Sequence, residues 1–252
     1  MKFSSCQWFL VWRRVQVGLM LLSWLKCMQR DAVTIFFQIV VLLFAISVHE
    51  SAHAWMANRL GDPTAKMLGR ISLNPIVHID LFGTILLPAM LILAGFPPFG
   101  YAKPTPVDNR NFKNIVRDDI LTAVAGPVSN LLTAFVSIIC LAFVLHGSNS
   151  GIAPNFRGVD VASPLASMFY MAMYINVILA VFNLIPLPPL DGSHVIRHFL
   201  PYETLKVYDR IGYFGLVIVM FVLPLAGCSV VSTLSAPFLI FFNALLSTLL
   251  RF

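Results

Sequence analysis

His49, Glu50 and His53 stand in the stretch SVHESAHAW, at the end of the apolar run TIFFQIVVLLFAI. A lipid-facing helix has no use for a carboxylate and two imidazoles there, because ionisable side chains deep in a span cost about 2.5 to 3.5 kcal/mol each on insertion scales. Residues four apart on a helix project from one face, one turn above the other, so His49 and His53 can grip a single metal ion. Glu50 follows the first of them and can serve as general base towards a water activated at that metal, which is the chemical content of the HExxH pattern. In a soluble chain two satisfied surface histidines would explain the pair. Inside an apolar segment that explanation leaves the insertion cost unanswered.

A hydrolytic zinc takes three protein ligands and keeps a fourth position open, so a third ligand must come from elsewhere in the chain. In FNLIPLPPLDGSH, residues 182 to 194, Pro186, Pro188 and Pro189 interrupt an apolar helix and a lone carboxylate, Asp191, follows. Broken backbone at membrane depth is tolerated only against protein or a water-filled cavity. Asp191 is then either the third ligand or, with Gly192, a turn that caps the next helix, and the residues alone leave both readings open. His194 and His198 repeat the spacing of four with no acid between them. They fall in SHVIRHFLPYETLK, whose mixed polarity fits a helix lying at the membrane surface rather than a metal pair.

The elements that must hold these groups follow from composition. Of 252 residues 58% are hydrophobic and 11% charged, far from soluble usage, which makes the chain an integral membrane protein. Apolar stretches lie at about 8–25, 31–57, 81–98, 120–146, 164–185, 211–227 and 233–250. A spanning helix needs about 20 apolar residues. The stretch 81–98 is short, carries Pro88 and ends in Gly95, Pro97 and Pro98, so a re-entrant hairpin is expected there. The same conclusion follows from geometry. HExxH and Asp191 each lie near the C-terminal end of an apolar segment, so their two helices must run in one direction, and either 81–98 or 120–146 must fail to cross. The four cysteines are scattered singly, which excludes a disulfide scaffold and a CxxC site. The net charge of +6 is not interleaved with aromatics, and nucleic acid is not an expected partner. Between Arg59 and Arg210, ten Lys and Arg fall on the side where the HExxH helix ends, against Arg157 on the other. The site should therefore open towards the cytoplasm.

HESAH at 49–53 together with NLIPLPPLDG at 183–192 resembles the site-2 protease family of intramembrane zinc metallopeptidases, peptidase family M50. AGPVSN at 125–130 is similar to that family's small-residue helix. GDPTAKMLGRISLNPIVHID at 61–80 and FGYAKPTPVDNRNF at 99–112 resemble its compact bacterial branch without a PDZ domain, and the similarity covers about 31–210. The resemblance implies one Zn2+ on His49, His53 and Asp191, Glu50 as base, and Asn183 as an oxyanion donor. His78 matches a position lining the cleft and is no ligand. It also implies an all-α polytopic membrane protein with about five to six transmembrane helices, a re-entrant segment and a three-helix catalytic core. The chain then divides into an N-terminal hydrophobic extension, 1–30, a metalloprotease core, 31–210, and C-terminal transmembrane helices, 211–252, with Met28 as a candidate start. The expected activity is hydrolysis of peptide bonds within or next to transmembrane segments in the bacterial inner membrane, with a transmembrane protein or peptide as substrate and the lipid bilayer as surroundings. Two other classes compete. A catalytically silent scaffold of the same fold would have no chemical need for Glu50. A prenyl-protein protease completes HExxH with a distant glutamate, and Glu203 is the only other glutamate in the chain.

Overall fold

The computed structural model describes residues 32–93, 100–147, 164–223 and 229–251, so the expected extension 1–30 lies outside the described residues. The chain divides into two compact units, Met1–Ile39 and Val40–Phe252, and the contacts below belong to the second. Helix α1, Ala32–Leu60, carries HExxH. A short helix α2, Thr64–Met67, and a 3-10 turn, Pro75–His78, follow it. A π-helical stretch, Leu81–Leu86, runs into α3, Leu87–Leu93. Helix α4, Ile115–Gly147, and helix α5, Pro164–Asn183, are long and apolar. Helix α6, Gly192–Arg197, is short, α7, Tyr202–Val217, continues into the π-helical Ile218–Val222, and α8, Val230–Leu249, closes the described chain.

The described residues contain no strand, and four helices are long and apolar enough to cross a membrane: Phe36–Leu60, Ile115–His146, Pro164–Asn183 and Val230–Leu249. The protein is thus all-α and polytopic, as expected. Of the remaining stretches that could bring the count to five or six, 8–25 lies outside the described residues, and the described part of 211–227 falls in α7 and its π-helical continuation. Lipid as solvent rather than water explains the surface. Phe143 is 82% exposed and Leu132 61% exposed, although such residues would drive a water-soluble chain to aggregate. The packed core lies where α4, α5 and α8 meet, around Ile138, Leu141, Met173, Val177, Phe242 and Leu246.

On α1 the buried positions Val41, Ala45, His49, His53 and Ala57 recur every fourth residue beside a second buried row, Ser47, Ser51 and Ala54, so one face of the helix meets protein and the metal-type residues sit in it. The segment between α1 and α4 returns to where it left. Tyr101 donates its backbone N–H to the Gly83 carbonyl at 3.1 Å, Lys103 donates to His78 at 2.9 Å, and the Thr84 hydroxyl donates to the Tyr101 carbonyl at 2.9 Å. Residues on either side of α3 are therefore neighbours, which is the connectivity of a hairpin and not of a span. With that element returning, α4 runs against α1, α5 runs with it, and the chain after α5 arrives at the HExxH end of α1.

Candidate metal centre

His49 Nε2, His53 Nε2 and an Asp191 carboxylate oxygen face one another from α1 and from the turn after α5. Asp191 Oδ2 lies 3.1 Å from His49 Nε2 and 3.4 Å from His53 Nε2, and the two nitrogens are 3.0 Å apart. All three ligand atoms fall within 4.8 Å of one another, and no other such group occurs among the described residues. Donors around one tetrahedral zinc, with bonds of about 2.0 to 2.1 Å, sit roughly 3.3 to 3.4 Å apart. Both imidazoles are buried, and Asp191 Oδ2 is a buried oxygen without a well-formed hydrogen bond. Converging lone pairs in a buried site need an electrophile between them, and a divalent metal fits this donor set.

The outer nitrogens decide which lone pairs point inward. His53 Nδ1 lies 2.7 Å from the Thr122 carbonyl of α4. A carbonyl only accepts, so Nδ1 carries the proton and Nε2 presents its lone pair. His49 Nδ1 lies 3.2 Å from the Asn130 side-chain nitrogen, while Asn130 Oδ1 is buried without a partner. Rotating that amide by half a turn exchanges N for O. Oδ1 then accepts from His49 Nδ1–H, the orphaned oxygen is satisfied, and His49 Nε2 also becomes a ligand. Gly126, between these two partners on α4, lies against both rings: a Cβ there would collide with His53 Nε2 and His49 Cε1.

Glu50, one residue on from His49, is half-buried and held by Thr105. Its Oε2 accepts from the Thr105 backbone N–H at 2.9 Å and from the Thr105 hydroxyl at 2.8 Å. The turn that delivers Asp191 is tied by its own hydrogen bonds, Leu190 N–H to Leu187 O at 2.8 Å and His194 N–H to Asp191 O at 3.0 Å. Gly192 lets that turn press on the end of α5, where a Cβ would meet the Leu184 and Ile185 carbonyls.

The structure thus brings His49, His53 and Asp191 together with Glu50 beside them. Asn183 is engaged differently, donating one amide N–H to the Leu179 carbonyl of its own helix at 2.9 Å. His78 is buried and its Nε2 lies 2.8 Å from the Ser72 carbonyl, which ties the loop after α2 down beside Ser51 of α1. His194 and His198 are not metal-clustered. Both turn to the buried Asp119 of α4, at 3.2 Å and 2.7 Å. Sequence reasoning gave no site role to Thr105, Asp119, Thr122, Gly126 or Asn130, although Thr105 lies in FGYAKPTPVDNRNF and Gly126 and Asn130 lie in AGPVSN. Four of them lie on one face of α4 at spacings of three and four, a polar and small-residue stripe inside an apolar helix, and that periodicity was the available signal.

An all-helical membrane fold with a buried His, His, Asp cluster and a carboxylate beside it defines a membrane metallopeptidase. The chain belongs to peptidase family M50, whose family model matches residues 37–225. YwhC of Bacillus subtilis (strain 168), which carries the provisional name of a zinc metalloprotease, is 37% identical over 191 residues, covering 75% of this chain and 81% of YwhC. Rip2 of Mycolicibacterium smegmatis (strain ATCC 700084 / mc(2)155), named in the same way, is 26% identical over 188 residues, covering 72% of this chain and 64% of Rip2. This chain therefore spans just under two thirds of that second relative. No solved structure matches.

Proposed function

We propose that this protein is an intramembrane zinc metalloprotease that hydrolyses peptide bonds within or next to the transmembrane segments of other membrane proteins. The observation that supports it is the meeting of three donor atoms, two from His49 and His53 on a helix apolar enough to span the bilayer and one from Asp191 in the turn after another such helix. A single Zn2+ held by these residues supplies a Lewis acid for the attacking water and for the scissile carbonyl. Glu50 accepts the proton of that water and returns it to the leaving amine. Asn183 retains a second amide N–H beyond the one given to Leu179, and this donor stabilises the developing oxyanion. Thr122 and Asn130 keep both imidazoles in the tautomer that presents Nε2.

A helical substrate hides its amide bonds, so the substrate unwinds locally before attack, favouring segments weakened by Gly or Pro. The excess of Lys and Arg on the HExxH side orients the site towards the cytoplasm, and the bacterial origin of both relatives favours a bacterial cell membrane. The test is cleavage of a panel of single-span substrates by the purified protein in detergent, with and without removal of zinc by a chelator. Cleavage that stops on chelation and returns with zinc supports the reading. Cleavage indifferent to the chelator sinks it.

A further inference from the structure

We propose that Thr105 is a positioning residue that commits one oxygen of the catalytic carboxylate and leaves the other as the base. This rests on the protease reading above. Both Thr105 donors, the backbone N–H at 2.9 Å and the hydroxyl at 2.8 Å, fall on Oε2 of Glu50, and the same hydroxyl lies 3.0 Å from the Glu50 carbonyl. Oε1 has no hydrogen bond to the described residues, so it is the oxygen available to a water. A glutamate has three rotatable bonds and much rotamer entropy to lose. Two donors on one oxygen remove that freedom before substrate arrives, which is preorganisation of the base.

The local sequence builds this clamp. Thr105 lies between Pro104 and Pro106. Proline has no N–H, and a residue before proline favours extended backbone. Thr105 is therefore the sole backbone donor between Lys103 and Val107, on a strap held extended. The strap is pinned at both ends, by the Lys103 N–H on the His78 carbonyl at 2.9 Å and by the Asp108 N–H on Asp62 Oδ2 at 2.8 Å.

Three variants and one exchange measurement decide. Thr105→Val removes the hydroxyl and keeps the backbone donor. It should lower kcat roughly 10- to 100-fold, the range for one hydrogen bond to a charged group, with KM and zinc content unchanged. Thr105→Ser should restore kcat. In zinc-free protein, hydrogen exchange at residues 104 to 106 reports the Thr105 amide alone, and it should accelerate in Glu50→Ala. Unchanged kcat in Thr105→Val, failure of Thr105→Ser to restore it, or equal exchange with and without the Glu50 carboxylate each overturns the proposal. A zinc-loaded wild-type protein that cuts no substrate removes the protease reading instead. The exchange result then still settles the clamp, kept by acceleration in Glu50→Ala and removed by its absence.

Discussion

At the scale of single residues the proposed function separates groups that would hold a metal from groups that would act on substrate, and variants can tell them apart. Asp191→Ala removes a donor from a cluster whose other two members share one helix face, and it should reduce bound zinc well below one equivalent by metal analysis. Glu50→Gln keeps the shape and loses the base. It should retain zinc and lose cleavage by at least about 100-fold, in the range for removal of a general base. Asn183→Ala tests the oxyanion role: a loss of about 100-fold in kcat with zinc intact is expected for one oxyanion donor, and an unchanged kcat would leave Asn183 as a helix-bonded polar residue only. The cluster was legible in the sequence because two of its members are four apart on one helix, while the third, a lone carboxylate after a proline break, stayed open between ligand and capping turn until the family resemblance singled it out. The partners of these residues were not legible. Thr105, Thr122 and Asn130 lie 55, 69 and 81 residues from the groups they touch; the stripe on α4 marks a polar face but does not say which groups it meets at such separations.

At the scale of elements, α4 aligns the site. Asp119, Thr122, Gly126 and Asn130 occupy one of its faces and meet, in turn, the two α6-region histidines, His53, both metal-type imidazoles and His49. Close approach of α4 to α1 depends on the missing Cβ at Gly126. Gly126→Ala should therefore push the helices apart, at about 1 to 3 kcal/mol for overpacking, and lower zinc occupancy while Gly→Ala at exposed helix sites does not. The loop ahead of α4 depends on Asp62. This buried carboxylate accepts from the Asp108 N–H and from the Asn111 amide, both at 2.8 Å, and from the backbone N–H and hydroxyl of Thr64. Burial pushes its pKa up, the hydrogen bonds pull it down, and the hydrogen bonds win, so the folded value lies below the ordinary one. A depressed folded pKa adds stability above the unfolded value, near 3.9, and that stability disappears as pH falls through the folded value. Asp62→Asn should cost roughly 1 to 2 kcal/mol at neutral pH, and the difference in thermal midpoint from wild type should shrink below about pH 4. A constant difference across that range would show that ionisation of Asp62 contributes nothing.

At the scale of the whole molecule, the hairpin is the feature on which the site depends. Its short length and prolines made it legible in the sequence, whereas its closure by Tyr101 and Lys103 against His78, Gly83 and Thr84 required the fold. If residues 81 to 98 crossed the bilayer, α5 would run against α1 and Asp191 would be carried to the face opposite HExxH. The chain comes back beside Gly83, so the hairpin reading puts Asn74 before it and Asn109 after it on one side of the membrane. In the orientation proposed above from the excess of Lys and Arg, that side is the cytoplasmic one. In a variant without the native cysteines, single cysteines at Asn74 and Asn109 should both react with a membrane-impermeant maleimide only from the cytoplasmic face. A cysteine at Asn155, which is outside the described residues and falls between α4 and α5 in the sequence, should react only from the other. Asn74 and Asn109 probes on opposite faces would make 81 to 98 a span and would require the metal to find a third ligand other than Asp191. Both probes reacting from the outer face would keep the hairpin and the site but reverse the orientation, so that substrates would be cut from the opposite side of the membrane.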